Sequence, residues 1–266
     1  MPSYKSAPAT SISIPISPLT PAAFAPFGTI IENPKHAPTG GTVNQGTAAK
    51  YPEISPFVSY PAPSGKPGAG HMNLFVCNPR TLTDNGRTFT VHILERHPYT
   101  TQTFIPIGLD KSDPGRKYLV IVAPTLDVAH GGSKAKSTMR QPPYPAKERT
   151  RTGIRGTPPY PVQSGVGSSG DLSSGASTDL SGTVNQKGRG LPDLNNIRAF
   201  KCRGDQAVTY GVGTWHAPMV VLGDGPIEFV VVMHENGVPL EDCEECEIEG
   251  GRVKVVVNDG PIKAKL

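Results

Sequence analysis

Glu95-Arg96-His97-Pro98-Tyr99-Thr100-Thr101-Gln102-Thr103-Phe104-Ile105-Pro106 sets two titratable groups, a cation and an amide at the end of an apolar β-pattern. Upstream, Phe89, Val91 and Ile93 alternate with Thr88, Thr90 and His92. Side chains two apart share one face of a strand. The alternation therefore predicts a strand over 88–97, with Glu95 and His97 on its inward face and His92 and Arg96 on its outward face. A carboxylate and an imidazole turned inward need partners, because an unpaired buried charge is costly. They belong either to a satisfied core network or to a reaction site. A second cluster far along the chain, Gly211-Val212-Gly213-Thr214-Trp215-His216-Ala217-Pro218, bears on that choice.

Strand-like runs continue on both sides. Residues 19–28 read as a Thr20-capped helical turn ending at Gly28, followed by a strand over 29–32. Further candidates are 71–77, 101–107, 197–202, 206–210, 227–233 and 253–257, the last of them free to lie on a subunit partner. Residues 117–123 form an unbroken apolar run, which predicts burial on both faces. Many short strands with turn signals between them, such as Asn44-Gln45-Gly46, indicate an all-β sandwich, jelly roll or barrel. Residues 1–18 read as a flexible lead. Residues 131–193 are rich in Ser, Gly, Pro and Thr without a periodic apolar face, so they cannot bury enough apolar surface to offset their ordering entropy. We read them as a disordered insertion inside one domain spanning 19–258, because loop-closure entropy grows only logarithmically with length. Residues 259–266 are read as an exposed tail.

Twenty-nine Pro and thirty Gly in 266 residues stand well above usual shares of about 5% and 7%, in keeping with a chain that is partly not core. The net charge of +4 comes from scattered residues, with no dense basic run and no aromatic interleaving, which argues against a nucleic-acid surface. Four cysteines in a chain of this length do not make a disulfide framework. No signal peptide or membrane span is read from the Pro-interrupted N-terminus. The ending Ala264-Lys265-Leu266 is a conservative variant of the Ser-Lys-Leu peroxisomal address. It predicts capture by the import receptor and a peroxisomal location, with the cytoplasm as the alternative.

Glu95-x-His97-x4-Gln102 and Gly213-x2-His216 together resemble the two motifs of the cupin superfamily, small jelly-roll barrels. There the first motif is usually His-x-His-x(3,4)-Glu and the second ends Gly-x2-His. Glu95 stands at the first His position, Gln102 at the Glu position, and His97 and His216 at the remaining two. Leu94-Glu95-Arg96-His97-Pro98, Thr101-Gln102-x-Phe104-Ile105-Pro106 and Trp215-His216-x-Pro218 are more narrowly similar to the ureidoglycolate lyase (ureidoglycolate hydrolase) family of allantoin degradation. Residues 19–31, Asn44-x-Gly46-x4-Tyr51 and Ala199-Phe200 agree with it. The likeness covers most of 19–130 and 194–240. The insertion is longer than that family needs, and the residues before Trp215 are Gly-rich.

The resemblance implies a cupin-like barrel with one or two short helices, in which Glu95, His97, Gln102 and His216 converge. It implies cleavage of ureidoglycolate to glyoxylate and urea, a homodimer, and no organic cofactor. Two His and one Glu suffice for one divalent metal, nickel or zinc, with Gln102 or water completing the shell; a metal-free acid–base site is the alternative. His97 or His216 would take the substrate's hydroxyl proton, and Glu95 would orient the imidazole or relay the proton. Gln102 would hydrogen-bond the ureido group. Arg96 reads equally as a carboxylate binder and as a surface cation, while Asn44, Lys50 and Tyr51 would cover the pocket mouth. Trp215 packs as core or pocket wall. Cys243-x-x-Cys246 lacks a second ligand pair at zinc spacing and reads as structural thiols. Rival readings are a metal-dependent cupin dioxygenase or isomerase and a non-catalytic module binding small acids.

Overall fold

The computed structural model describes residues 5–7, 11–113, 115–126 and 190–257. Most of the insertion expected at 131–193, and the whole 259–266 tail, lie outside these residues. The first strands are β1 (Lys5–Ala7), β2 (Ile12–Pro18), β3 (Gly28–Ile31), β4 (Thr42–Val43), β5 (Ala48–Ala49) and β6 (Ala69–Cys77). They are followed by β7 (Thr88–Val91), β8 (Ile93–Arg96), β9 (Gln102–Ile107), β10 (Lys117–Ala123), β11 (Arg198–Cys202) and β12 (Ala207–Tyr210). The last are β13 (Trp215–His216), β14 (Val220–Leu222), β15 (Ile227–Glu235), β16 (Glu244–Ile248) and β17 (Val253–Val256). Two single-turn α-helices, α1 (Pro21–Phe24) and α2 (Pro239–Asp242), and three 3-10 turns at Asn44–Gly46, Leu194–Asn196 and Glu249–Gly251 complete the described elements. No described helix is long and apolar enough to cross a membrane.

The larger sheet has the order β1-β16-β8-β13-β10-β11-β2-β17-β7, with β14 also pairing on β10. The smaller has the order β3-β12-β9-β15-β6. β7 pairs with β17 at one end of the large sheet and β8 with β16 near the other, yet only His92 separates β7 from β8 in the chain. That link curls the sheet into a nearly closed, cupin-like barrel.

Two cores follow. Strands of the large sheet alone supply Phe89, Val91, Leu94, Leu119, Ile121, Trp215, Val253 and Val255, which fill the barrel. Both sheets supply the second core, which includes Phe27, Tyr118, Val120, Val122, Val208, Tyr210 and Phe229. β10 lies between the two. Leu119 and Ile121 face the barrel, Tyr118, Val120 and Val122 face the second core, and none is more than 1% exposed. This double burial is why 117–123 carries no polar alternation, and each such side chain contributes about 1.5–3 kcal/mol.

Two expectations change. The lead over 1–18 contains β2, which runs parallel to β11 and β17 and buries Ile14. Its prolines disguised an Ile12-x-Ile14-x-Ile16 alternation. The strand at 253–257, thought free to lie on a partner, is β17, held between β2 and β7 of its own chain with Val253 and Val255 fully buried.

Candidate active site

The alternation over 88–97 slips by one residue at His92, which is exposed between β7 and β8. Before the slip Phe89 and Val91 enter the barrel; after it Leu94 does, on the same face of β8 as Arg96. Glu95 and His97 turn instead toward the second core. They remain inward because β8 is covered on both sides.

Arg96 is corrected by the same slip: it was expected outward and is fully buried. Its Nε donates to Glu244 Oε2 at 2.8 Å and its Nη1 to Thr125 Oγ1 at 3.1 Å. The guanidinium lies 4.6 Å over the Trp215 ring. Arg96 thus serves the barrel interior, on the side of β8 away from Glu95. Trp215, itself fully buried, is a core residue.

β13 brings in the second motif. His216 pairs with Glu95 on one side and Val122 on the other. The Gly-rich approach to it is required by close packing. Gly213 sits at φ +73° and donates its N–H to His97 O at 2.8 Å, a left-handed conformation that glycine adopts without steric cost. Gly211 donates to Phe27 O at 2.8 Å, and a Cβ there would come within 3.2 Å of that oxygen.

The imidazoles of His97 and His216 lie 5.6 Å apart, centroid to centroid. One donor atom from each of Glu95, His97 and His216 lies within 4.8 Å of the others. His97 Nδ1 donates to the carbonyl of Asp242, the last residue of α2, at 2.6 Å. A carbonyl only accepts, so the proton is on Nδ1, and the buried Nε2 keeps a bare lone pair with no protein partner. His216 Nδ1 donates to Thr214 O at 3.0 Å. Its Nε2 faces Gln102 Oε1 at 3.1 Å and Glu95 Oε1 at 3.4 Å. A proton or a metal ion at that nitrogen would satisfy the surrounding oxygens.

Gln102 arrives from the other sheet. It stands in register between Tyr210 and Met233 and donates its amide N–H to Met233 Sδ at 3.5 Å. Tyr210 stacks on His216 at 3.9 Å and 11°. Burial raises the Tyr210 phenol well above its usual range, so it stays protonated. Burial also drives the His97 value from 6.5 down to about 4, helped by the charge of His216. For Glu95, burial pushes upward, but its hydrogen bond to His216 and the charges of both histidines outweigh that, and the net shift is downward.

Sequence reasoning missed Tyr210 and the Asp242 carbonyl. Tyr210 precedes Gly211, a position that alternation in β12 could have directed inward. A carbonyl contributed from a distant turn leaves no side-chain signal. Cys243 is half-buried and its thiol is pushed up to about 12, by burial first and then by Glu95 and neighbouring carboxylates. Cys246 lies in the barrel core, whereas Cys243 flanks the C-terminus of α2, ahead of β16. Asn44, Lys50 and Tyr51 are not brought to this cluster by any described contact. They belong to the β4–β5 hairpin and its flank, where Asn44 and Lys50 are exposed and Tyr51 donates its hydroxyl to His36 O at 2.8 Å.

The depressed His97 value predicts acid sensitivity. Its folded value lies below the ordinary one, so its contribution to stability is complete above pH 6.5 and is lost as pH falls toward 4. Between pH 7 and pH 5 this amounts to about 2 kcal/mol. Urea unfolding at both pH values should show that loss in the wild type and not in His97→Phe. Glu95 enters separately, only below its ordinary value of 4.5.

The family model described as ureidoglycolate lyase matches residues 11–256. The chain is similar to a ureidoglycolate lyase of Schizosaccharomyces pombe, 29% identical over 230 residues, which covers 85% of this chain and 86% of that protein. A ureidoglycolate lyase of Saccharomyces cerevisiae is 28% identical over 262 residues, covering 92% of this chain and 100% of the relative. One of Burkholderia mallei is 29% identical over 222 residues, covering 83% and 81%.

Proposed function

The chain belongs to the ureidoglycolate lyase family, and from that membership we propose that Glu95, His97, Gln102 and His216 are the groups with which it cleaves ureidoglycolate to glyoxylate and urea. The observation that carries the proposal is the meeting of a carboxylate, an amide and two imidazoles from β8, β9 and β13 in one buried cluster.

The reaction moves one proton and breaks one bond. The 2-hydroxyl loses its proton, the oxygen lone pair forms the aldehyde carbonyl, and the carbon–nitrogen bond breaks with its electrons going to nitrogen. A proton then reaches that nitrogen to give urea. No water is consumed and nothing is oxidised. A base held neutral by its surroundings, beside a second group that can pass on a proton, suits such work. His97, kept neutral by burial and bare at Nε2, is the acceptor for the hydroxyl proton. His216, hydrogen-bonded at Nδ1 and facing the Glu95 carboxylate at Nε2, delivers a proton to the leaving nitrogen. Gln102 orients the ureido group, and stacking on Tyr210 fixes the His216 ring.

The same atoms suit a divalent ion such as nickel or zinc, held by His97 Nε2, His216 Nε2 and Glu95, with Gln102 Oε1 or water as a further ligand. The orphaned Nε2 and the carbonyl bonds that fix both ring orientations support this, since ligating histidines are ordinarily held in this way. Such an ion would acidify the substrate hydroxyl.

We further propose, from the family resemblance, a homodimer acting in allantoin breakdown. The Ala264-Lys265-Leu266 ending, outside the described residues, supports peroxisomal delivery through the import receptor. Purified protein incubated with ureidoglycolate is expected to release glyoxylate and urea in equal amounts; ammonia in place of urea would refute the lyase reaction. Activity lost to a chelator and restored by nickel or zinc would support the ion. Full activity in protein free of metal would exclude it.

A further inference from the structure

β6 is the free edge of the five-stranded sheet. Its nine residues, Ala69–Cys77, include no charged side chain and no proline, and all but the last are exposed. On its outer face Met72, Leu74 and Val76 are 74%, 60% and 54% exposed. The apolar surface continues inward along the register. Leu74 stands opposite Val230, and Val230 opposite Ile105. Ile107, two residues on, is 40% exposed. On the other face of β6, Phe75 is 42% exposed although its ring contacts Phe104.

Edge strands are normally blunted by lysine, proline, bulges or shortness, because an open ladder of backbone groups invites pairing. β6 has neither of the first two and is long. Its uncovered apolar surface is on the order of 500 Å², the size at which a patch marks an interaction site. With the open edge and its flanks, this approaches the ~800 Å² that each partner contributes to a stable interface.

We propose that β6 pairs antiparallel with β6 of a second copy of this chain across a two-fold axis near Asn73, joining two five-stranded sheets into one. A two-fold interface must be complementary to itself, and this strand is. Met72 would meet Leu74 of the partner subunit, His71 would meet Phe75 of the partner subunit, and no like charges oppose each other. A charged peptide would find nothing on this edge to pair with. The assignment rests on the homodimer reading given above and adds the face that forms it.

The test is the solution mass of the full chain by light scattering, for wild type, Leu74→Arg, Met72→Lys and the control Leu240→Arg, an exposed position outside the patch. The expected results are wild type and control at twice the 28.1 kDa chain mass, and the two patch variants at a single chain mass with unchanged far-UV spectra. A wild type of single chain mass overturns both the dimer and the face. Dimeric patch variants overturn the face and leave the dimer standing. Hydrogen exchange on the wild type gives a check independent of variants. Amides of 70–76 that point away from β15 should be protected, and rapid exchange there overturns the pairing.

Discussion

Replacing His97 with Ala lowers kcat/KM for ureidoglycolate by about 10³-fold, while the far-UV spectrum stays native. The size follows from what the side chain supplies. Its Nε2 is the one ring nitrogen of the pair with no protein partner, and the Asp242 carbonyl fixes its direction. Alanine removes the proton acceptor and the strongest candidate ligand together. The fold does not depend on it, because neighbouring Gly213 and Asp242 are joined to residue 97 and to α2 by backbone groups that alanine leaves in place or that water can satisfy. Wild-type turnover in His97→Ala, measured by glyoxylate release, would remove the histidine from the mechanism.

Arg96→Ala has its large effect on stability. The guanidinium is fully buried, while its partner Glu244 keeps a side-chain exposure of 17%. Truncating one member of a buried pair strands the other, which costs about 3–5 kcal/mol; the partial exposure of Glu244 directs the expectation to the low end. Loss of the contact with Trp215 adds to it. Guanidinium unfolding should therefore show a midpoint shift equivalent to about 3 kcal/mol. Pairing Arg96→Met with Glu244→Met should recover much of it, because a hydrophobic pair replaces an ion pair without leaving an orphaned charge. An arginine that bound the substrate carboxylate would behave oppositely: KM would rise and the unfolding midpoint would stay where it was.

That contrast marks the limit of what alternation conveys. The apolar run 117–123 announced a strand buried on both faces, and β10 has both cores against it. Glu95 and His97 were assigned inward by extending the parity of Phe89 and Val91, and they are inward, but toward the other core. One extra residue between β7 and β8, His92, reverses every later side chain in the strand. Only the burial of both faces of β8 kept the conclusion intact for Glu95, and the same reversal made Arg96 a core residue. The Ile alternation of β2 was legible but masked by Pro15 and Pro18, since prolines are ordinarily confined to strand ends, edges and bulges, whereas β2 lies between β11 and β17. Gln102 and His216 were readable as side chains at motif spacing. The Asp242 carbonyl that aims His97 was not, since any residue type could supply it. The glycines before Trp215 looked like a departure from the pattern and are what lets the 211–214 turn pass beside Phe27 and His97.

A double-mutant cycle on His97 and His216 tests most directly whether these distant positions form one reaction centre. Groups that act as a unit lose nearly everything with the first deletion, so their effects do not add. His97→Ala, His216→Ala and the double variant are expected to show kcat values within about tenfold of one another, each far below wild type. Losses that multiply, with the double variant slower than either single variant by the full factor of the other, would mean that the two imidazoles work independently and would contradict a shared centre.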